Sequence, residues 1–242
     1  MSDKPNNNLI TMSDPDSATA EAFRTLRTNI SLKDIDSKTK VINVISAVAK
    51  ESKSTTIINL AYVYSQLGKN VLLIDLDLRL PTIHKKLNLK NECGITELLT
   101  NNATWNDCVV HYLPRFDVLL SGGKNPYSTE LIQSEAFAKL IQKLKETYDL
   151  VLIDCPPIGL VTDGIITSTI ADGTILCVAS NRADRKDLER AKDLLEQFNV
   201  NVLGVVMTRM PVGSRYYYKY KYKYDYSYRY YYNSPEDKKK KW

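Results

Sequence analysis

The chain has 242 residues, 43 % of them hydrophobic and 25 % charged, which suits one large soluble α/β domain with its own core. Its net charge of +5 belongs to the C-terminus: residues 215–242 hold nine Lys/Arg against three Asp/Glu, so the rest of the chain is close to neutral. No apolar run reaches the roughly 18 residues of a spanning helix, the N-terminus lacks a signal core, and Cys93, Cys108, Cys155 and Cys177 lack CxxC spacing. A cytoplasmic protein with reduced, structural cysteines is expected, without a zinc site or a disulfide framework.

Residues 1–15 read as a polar, flexible lead. Ala22, Phe23, Leu26 and Ile30 then recur at helical spacing with Glu21, Arg24 and Arg27 opposite, predicting an amphipathic helix over about 17–31 that starts near Asp16 or Ser17. Short apolar runs follow at 41–46, 71–78, 116–121, 150–155, 173–180 and 202–207. Helical stretches separate them, one running to about Leu67 and ending at Gly68, others near 134–146 and 184–198. Several runs are apolar on both faces, as strands covered by helices on each side are. The fold class is therefore α/β, a doubly wound and mostly parallel sheet, with ligands expected at the carboxyl ends of its strands.

The first strand ends in SAVAKESKSTT, residues 46–56, and a helix begins there. A P-loop reads G-x-x-x-x-G-K-[ST], in which backbone N–H groups wrap phosphates, the Lys reaches the terminal ones and a hydroxyl meets Mg²⁺. Lys53, Ser54 and Thr55 fit at a helix N-terminus that favours an anion, while Ala47 and Ser52 stand where the pattern has Gly. The second strand ends in DLDLR, with Asp75 and Asp77 two residues apart, and a later strand ends in LVLIDCPP with Asp154 at its carboxyl edge. A lone Asp after an apolar run is usually a cap or a turn residue. Three of them converging with Lys53 suit a metal beside a phosphate loop.

Eleven of the sixteen tyrosines fall between Arg215 and Tyr232, interleaved with Lys and Arg. Unbroken runs at Tyr216–Tyr218 and Tyr230–Tyr232 would load both faces of a strand, and the stretch contains no Leu, Ile, Val or Phe. It reads as an exposed, disordered tail over 213–242. Aromatic rings among cations can hold single-stranded nucleic acid, but the near-neutral body and the lack of a recognition motif argue against a nucleic-acid partner.

Together these segments resemble the bacterial tyrosine kinases of capsule and exopolysaccharide systems, a P-loop family, over nearly the whole chain. EAFRTLR (21–27) resembles the family's oligomerisation helix, SAVAKESKSTT its Walker A loop, LLIDLDLRLP (72–81) its second acidic motif and LVLIDCPP its Walker B strand. GGKNPYSTELI (122–132) loosely matches a Gly/Pro-rich loop, and a tyrosine cluster ends the chain. The resemblance implies a kinase domain over 16–212 that uses ATP and Mg²⁺ and autophosphorylates in trans within a homo-oligomeric ring. Lys50, Glu51, Ser52, Lys53, Ser54 and Thr55 would bind the phosphates, with Thr208 and Arg209 near the base. Ser54, Asp77 and Asp154 would hold the metal. Asp75 would take the tyrosine proton, beside Lys53 and Arg79, and Glu21, Arg24 and Arg27 would make the subunit contact. Acceptors would be Tyr216, Tyr217, Tyr218, Tyr220, Tyr222, Tyr224, Tyr226, Tyr228, Tyr230, Tyr231 and Tyr232. Implied partners are a transmembrane polysaccharide co-polymerase that activates the kinase and recruits it to the inner face of the membrane, and a phosphotyrosine phosphatase.

The chain departs from that pattern at Lys50 and Ser52, where the family carries Gly, and at Thr208, where it carries Asn. The alternatives are a catalytically weak or inactive scaffold paralogue phosphorylated by another kinase, and a partition or septum-site type ATPase. The latter places a signature Lys where this chain has Val48.

Overall fold

A computed structural model describes residues 8–33 and 38–211. The tyrosines of 216–232 and the first seven residues lie outside the described residues. Seven strands form one sheet: β1 (Val41–Ser46), β2 (Val71–Asp75), β3 (Val109–Leu113), β4 (Phe116–Leu119), β5 (Leu150–Asp154), β6 (Gly173–Ala179) and β7 (Val202–Thr208), in the order β3-β4-β2-β5-β1-β6-β7. All neighbours are parallel except the edge pair β3–β4.

The unbroken apolar runs are explained by two cores, one on each face of the sheet. Along β2, Leu72 and Ile74 enter one core while Val71 and Leu73 enter the other, the period of two expected of a strand. The first core takes in Phe137, Ile141 and Leu144 of α8 (Glu135–Thr147) and Ala191 and Leu195 of α10 (Arg185–Gln197). The second takes in Ile57, Ile58, Leu60 and Ala61 of α3 (Lys53–Ser65) and Ile30 of α2 (Ala18–Lys33). Caps set the helix starts: Ser134 Oγ accepts from Phe137 N at 3.1 Å, and Asp184 Oδ1 accepts from Asp187 N at 2.8 Å. Gly68, at φ +80°, supplies the left-handed turn after α3.

Several expectations change. The reading of 1–15 as flexible overlooks α1 (Ile10–Ser13): Leu9 is buried, and Thr11 N and Oγ1 both donate to Asn59 Oδ1 of α3, at 3.0 and 2.9 Å. In α2 the inward small residue is Ala20, and Ala22 is exposed. Arg27 does not lie opposite the core but donates from Nη1 to Val63 O of α3 at 2.8 Å, whereas Glu21 and Arg24 pair with each other at 2.9 Å on the outer side. Cys93 and Cys108 form a disulfide, so only Cys155 and Cys177 are free thiols, both buried. β2 stops at Asp75 rather than continuing to residue 78. The short helices α4 (Ile83–Leu87), α5 (Ile95–Leu99), α6 (Trp105–Cys108), α7 (Ser128–Gln133) and α9 (Asp163–Ile170), together with β3, complete the elements of the described residues.

β1 stands at the switch point of the sheet. The chain leaves β1 toward β2 on one side and leaves β5 toward β6 on the other, which opens a crevice at their carboxyl ends. The SKST segment and Asp154 end there.

Candidate active site

The loop between β1 and α3 is a turn held from below. Glu51 is fully buried; its Oε2 accepts from Val48 N at 3.2 Å and its Oε1 from Ala179 N, at the end of β6, at 3.0 Å. Ser46 Oγ donates to Val48 O at 2.7 Å. Gly159 N donates to Ala47 O at 3.1 Å, and a Cβ on Gly159 would lie only 2.5 Å from that oxygen, so glycine permits this approach. The Glu51 side chain is thus a strut of the loop and does not face a ligand.

Lys50 and Ser52, the two positions expected to be Gly, adopt the left-handed conformation that Gly favours, at φ +64° and +63°. The loop keeps its shape without its glycines. The chain beyond β7 braces it: Thr208 Oγ1 donates to Glu51 O at 3.0 Å, and Arg209 Nε donates to Ser52 Oγ at 3.0 Å. Thr208, expected near a base, therefore spends its hydroxyl on the loop.

Beyond Ser52 the chain enters α3, whose first residue, Lys53, is only 8 % exposed. The Ser54 hydroxyl, Lys53 and Lys86 each lower the pKa of the Asp154 carboxylate while Asp77 raises it, so all four lie close enough to act on it. Asp154 is buried with no hydrogen-bond partner for Oδ1, and burial raises its pKa to about 6 against the pull of Lys53 and Ser54. An orphaned carboxylate oxygen beside a serine hydroxyl at a helix N-terminus fits a divalent cation. Among the described residues no three His, Cys, Asp or Glu side chains form a metal cluster, yet Mg²⁺ needs only one or two carboxylates because it keeps several waters.

Asp75 and Asp77 differ in burial and in their hydrogen-bond partners. Asp75 is fully buried, with Oδ2 accepting from Thr82 N at 3.2 Å and Ile83 N at 3.0 Å, and Oδ1 from Asp77 N at 3.3 Å. Burial and, second, the Asp154 charge raise its pKa well above the ordinary value. Its lone pairs serve the turn into α4, so the expected role of proton acceptor requires that turn to move. Asp77, partly open to solvent, accepts from Leu80 N at 3.0 Å; burial raises its pKa while Leu80 N and Lys53 oppose the shift. It is the more exposed of the two carboxylates.

Arg79 is tied down: Nε meets Asp163 Oδ2 at 3.1 Å and Nη2 donates to Thr129 Oγ1 at 3.0 Å, while Thr129 Oγ1 donates to Asp163 Oδ1 at 2.7 Å. This joins the turn after β2 to α7 and α9. Two residues of the site carried no sequence signal. Asp163 reads as an ordinary acidic helix start, and Lys86 as one of two adjacent surface lysines; their roles come from packing. Thr82, on the turn before α4, donates to Ser54 Oγ at 2.8 Å.

Comparison with known proteins places the chain in a family. Residues 39–200 match the family described as AAA domain (AAA_31). The chain is 37 % identical to the tyrosine-protein kinase YwqD of Bacillus subtilis over 214 residues, covering 87 % of this chain and 90 % of that protein. It is 34 % identical to the putative tyrosine-protein kinase CapB of Staphylococcus aureus over 84 % of this chain and 91 % of that one. The chain belongs to the bacterial tyrosine kinase family. Among solved structures, the chimerical protein CapA2B2 superimposes with a TM-score of 0.81 at 37 % identity, covering 85 % of this chain and 91 % of the other. The kinase domain of the Escherichia coli tyrosine kinase ETK follows with a TM-score of 0.78 at 26 % identity over 86 % and 84 %. The septum-site protein MinD of Pyrococcus horikoshii, solved with Mg-ADP, shares the fold at 21 % identity, with a TM-score of 0.59 over 69 % of each chain. The kinase fold of this family is thus a doubly wound P-loop sheet, the class expected from the strand pattern. Among the described residues no helix is long and apolar enough to cross a membrane.

Proposed function

We propose that the chain is an ATP-dependent protein-tyrosine kinase that phosphorylates its own C-terminal tyrosines in trans and thereby regulates polymerisation and export of a capsular or exopolysaccharide polymer. The observation that carries this reading is the convergence of Lys53, Ser54 and the unpartnered Asp154 Oδ1 at the start of α3, with Asp77 beside them. The kinase names of the relatives select phosphoryl transfer to tyrosine from the reactions such a site supports.

The loop amides and the N-terminus of α3 hold the phosphates of ATP, and Lys53 neutralises the terminal ones. Ser54 and Asp154, with Asp77, would hold Mg²⁺, which when bound would draw charge from the phosphate oxygens. A tyrosine oxygen attacks the γ-phosphorus in line; the new O–P bond forms as the bond to the β,γ-bridging oxygen breaks, leaving ADP. A phenol has a pKa near 10, so its proton must pass to a base during transfer, and Asp75, which is not among the metal-holding residues, is the candidate acceptor once the turn into α4 shifts. Before that shift Asp75 positions Asp77 and the α4 turn. Arg79, paired to Asp163 and Thr129, fixes the rim on which the acceptor lies.

Residues 215–242 carry a surplus of six positive charges, and each phosphate adds roughly −1.5 to −2. Three or four phosphates therefore cancel the charge, loosening the ring or its association with an acidic membrane face. A transmembrane polysaccharide co-polymerase is the proposed activator and recruiter, and a phosphotyrosine phosphatase completes the cycle. A second reading, a weakly active scaffold phosphorylated by another kinase, is favoured by Lys50 and Ser52 at positive φ.

Purified protein incubated with Mg·ATP, with and without a peptide from the membrane partner, is followed by intact mass against Lys53→Met. Mass gain absent in the variant supports the kinase. No gain in either condition, with no ATP binding, selects the scaffold.

A further inference from the structure

Lys86 is a cation that neither the loop motif nor the acidic motifs call for. It lies on α4, four residues beyond Thr82, and its ammonium donates to Thr55 Oγ1 at 2.9 Å. Since Thr82 donates to Ser54 Oγ at 2.8 Å, two consecutive hydroxyls at the start of α3 are engaged from the α4 side, one by a neutral group and the next by a charge. Lys86 is not a solvated surface lysine. It is half-buried, and burial and the Arg209 charge disfavour its protonated form, while Asp154 favours it. Lys53, Lys86 and Arg209 thus gather at one helix N-terminus whose own dipole favours an anion, with Asp154 and Asp77 as the nearby counter-charges.

We propose that Lys86 binds the nucleotide, holding the end of a nucleoside 5′-di- or triphosphate that lies against Thr55. The inference rests on the nucleotide-binding reading above and deepens it. In a P-loop the backbone cradles the α- and β-phosphates while the loop Lys reaches β and γ. Lys53 fills that second role, so a cation fixed one residue beyond Ser54 is placed for the phosphate next to the ribose. Its contribution also offsets what the loop loses by carrying Lys50 and Ser52 in place of Gly.

The test is calorimetric titration of the full chain with Mg·ADP, comparing the parent with Lys86→Gln, Lys86→Arg and Lys53→Met. Gln retains a donor for Thr55 but no charge, so Lys86→Gln should bind ADP about tenfold more weakly and with a shallower salt dependence, and Lys86→Arg should recover most of the affinity. A tether between α4 and α3 alone would lower the melting temperature of Lys86→Gln and leave its ADP affinity unchanged, which overturns the inference. A parent that binds neither ADP nor ATP overturns the nucleotide reading along with it. A second measurement needs no variant: saturating ADP should slow acylation of Lys86 by an N-hydroxysuccinimide ester, mapped by peptide mass, while exposed Lys85 keeps its rate. Equal rates at Lys86 with and without bound ADP also overturn it.

Discussion

Arg209 Nε donates to Ser52 Oγ at 3.0 Å, joining the end of β7 to the residue that turns the phosphate loop into α3. Both residues sit at positive φ, +52° and +63°. The pair lets strain and compensation be separated. Left-handed backbone costs a non-glycine residue about 1–2 kcal/mol, whereas glycine gives back about 0.5–1 kcal/mol through its freer unfolded chain. Lys50 has an exposed side chain, so Lys50→Gly should stabilise the protein by up to about 1 kcal/mol. Ser52→Gly also loses the Arg209 bond, worth about 1 kcal/mol, and should stay within about 0.5 kcal/mol of the parent. Urea melts measure both. If loop strain limits transfer, the double variant should phosphorylate up to about tenfold faster.

Asp154 sets a pH dependence whose sign follows from its burial. Its folded pKa of about 6 lies above the ordinary 3.8, so between these values the native state binds the proton more tightly than the unfolded chain does. The Asp154 contribution to stability should therefore fall as pH rises from about 4 to about 6 and be lost above. Asp75, shifted the same way by burial and by Asp154, adds to the slope, so Asp154→Asn should reduce that limb rather than abolish it. Magnesium affinity should run the opposite way, strengthening through about pH 6 as the carboxylate ionises. Urea midpoints and Mg²⁺ titrations of parent and variant across pH 4–8 check both; an Asp154→Asn variant that keeps the parent's pH slope contradicts the assignment.

Glu51 bonds two buried amides, and its loss should be felt in the loop first. Glu51→Ala leaves Val48 N and Ala179 N without acceptors, at about 1–3 kcal/mol each. Glu51→Gln keeps one acceptor oxygen and should cost about half as much. Denaturant melts give the stabilities, and ADP titration should show the Ala variant binding more weakly because the loop no longer holds its turn.

Six of the seven strands, and the candidate site at their carboxyl ends, were legible because they rest on local signals. Buried parallel strands are written as apolar runs, so β1 could be read at its observed bounds, and a phosphate loop is written as Lys-Ser-Thr after a strand. What depended on packing was not legible. Lys86 and Asp163 acquire their roles from elements far away in sequence, and Asp75 and Asp77 part company because β2 ends at Asp75. Spacing alone did not show that Glu51 turns inward. The short β3 has partly buried side chains around an exposed His111 and no continuous apolar run, which hides it from a period count. Cys93 and Cys108 are fifteen residues apart, a spacing that matches no motif, and only the proximity of α5 and α6 brings them together.

Arg27 tests how far α2 serves this chain and how far a neighbouring copy. Its guanidinium reaches Val63 O, a partly buried charge-assisted bond, so Arg27→Ala should cost about 1–3 kcal/mol and speed amide exchange throughout α2. Glu21 and Arg24 form an exposed pair, and replacing either with Ala should change stability by no more than about 1 kcal/mol. If the outer face of α2 carries the subunit contact, Glu21→Ala and Arg24→Ala should lower the oligomer mass in light scattering while their melting temperatures hold. Arg27→Ala should lower both, because the helix that presents the contact is no longer docked. Exchange rates in α2 that do not change in Arg27→Ala would mean that Ala20, Ile30 and the α1 contacts anchor the helix without it.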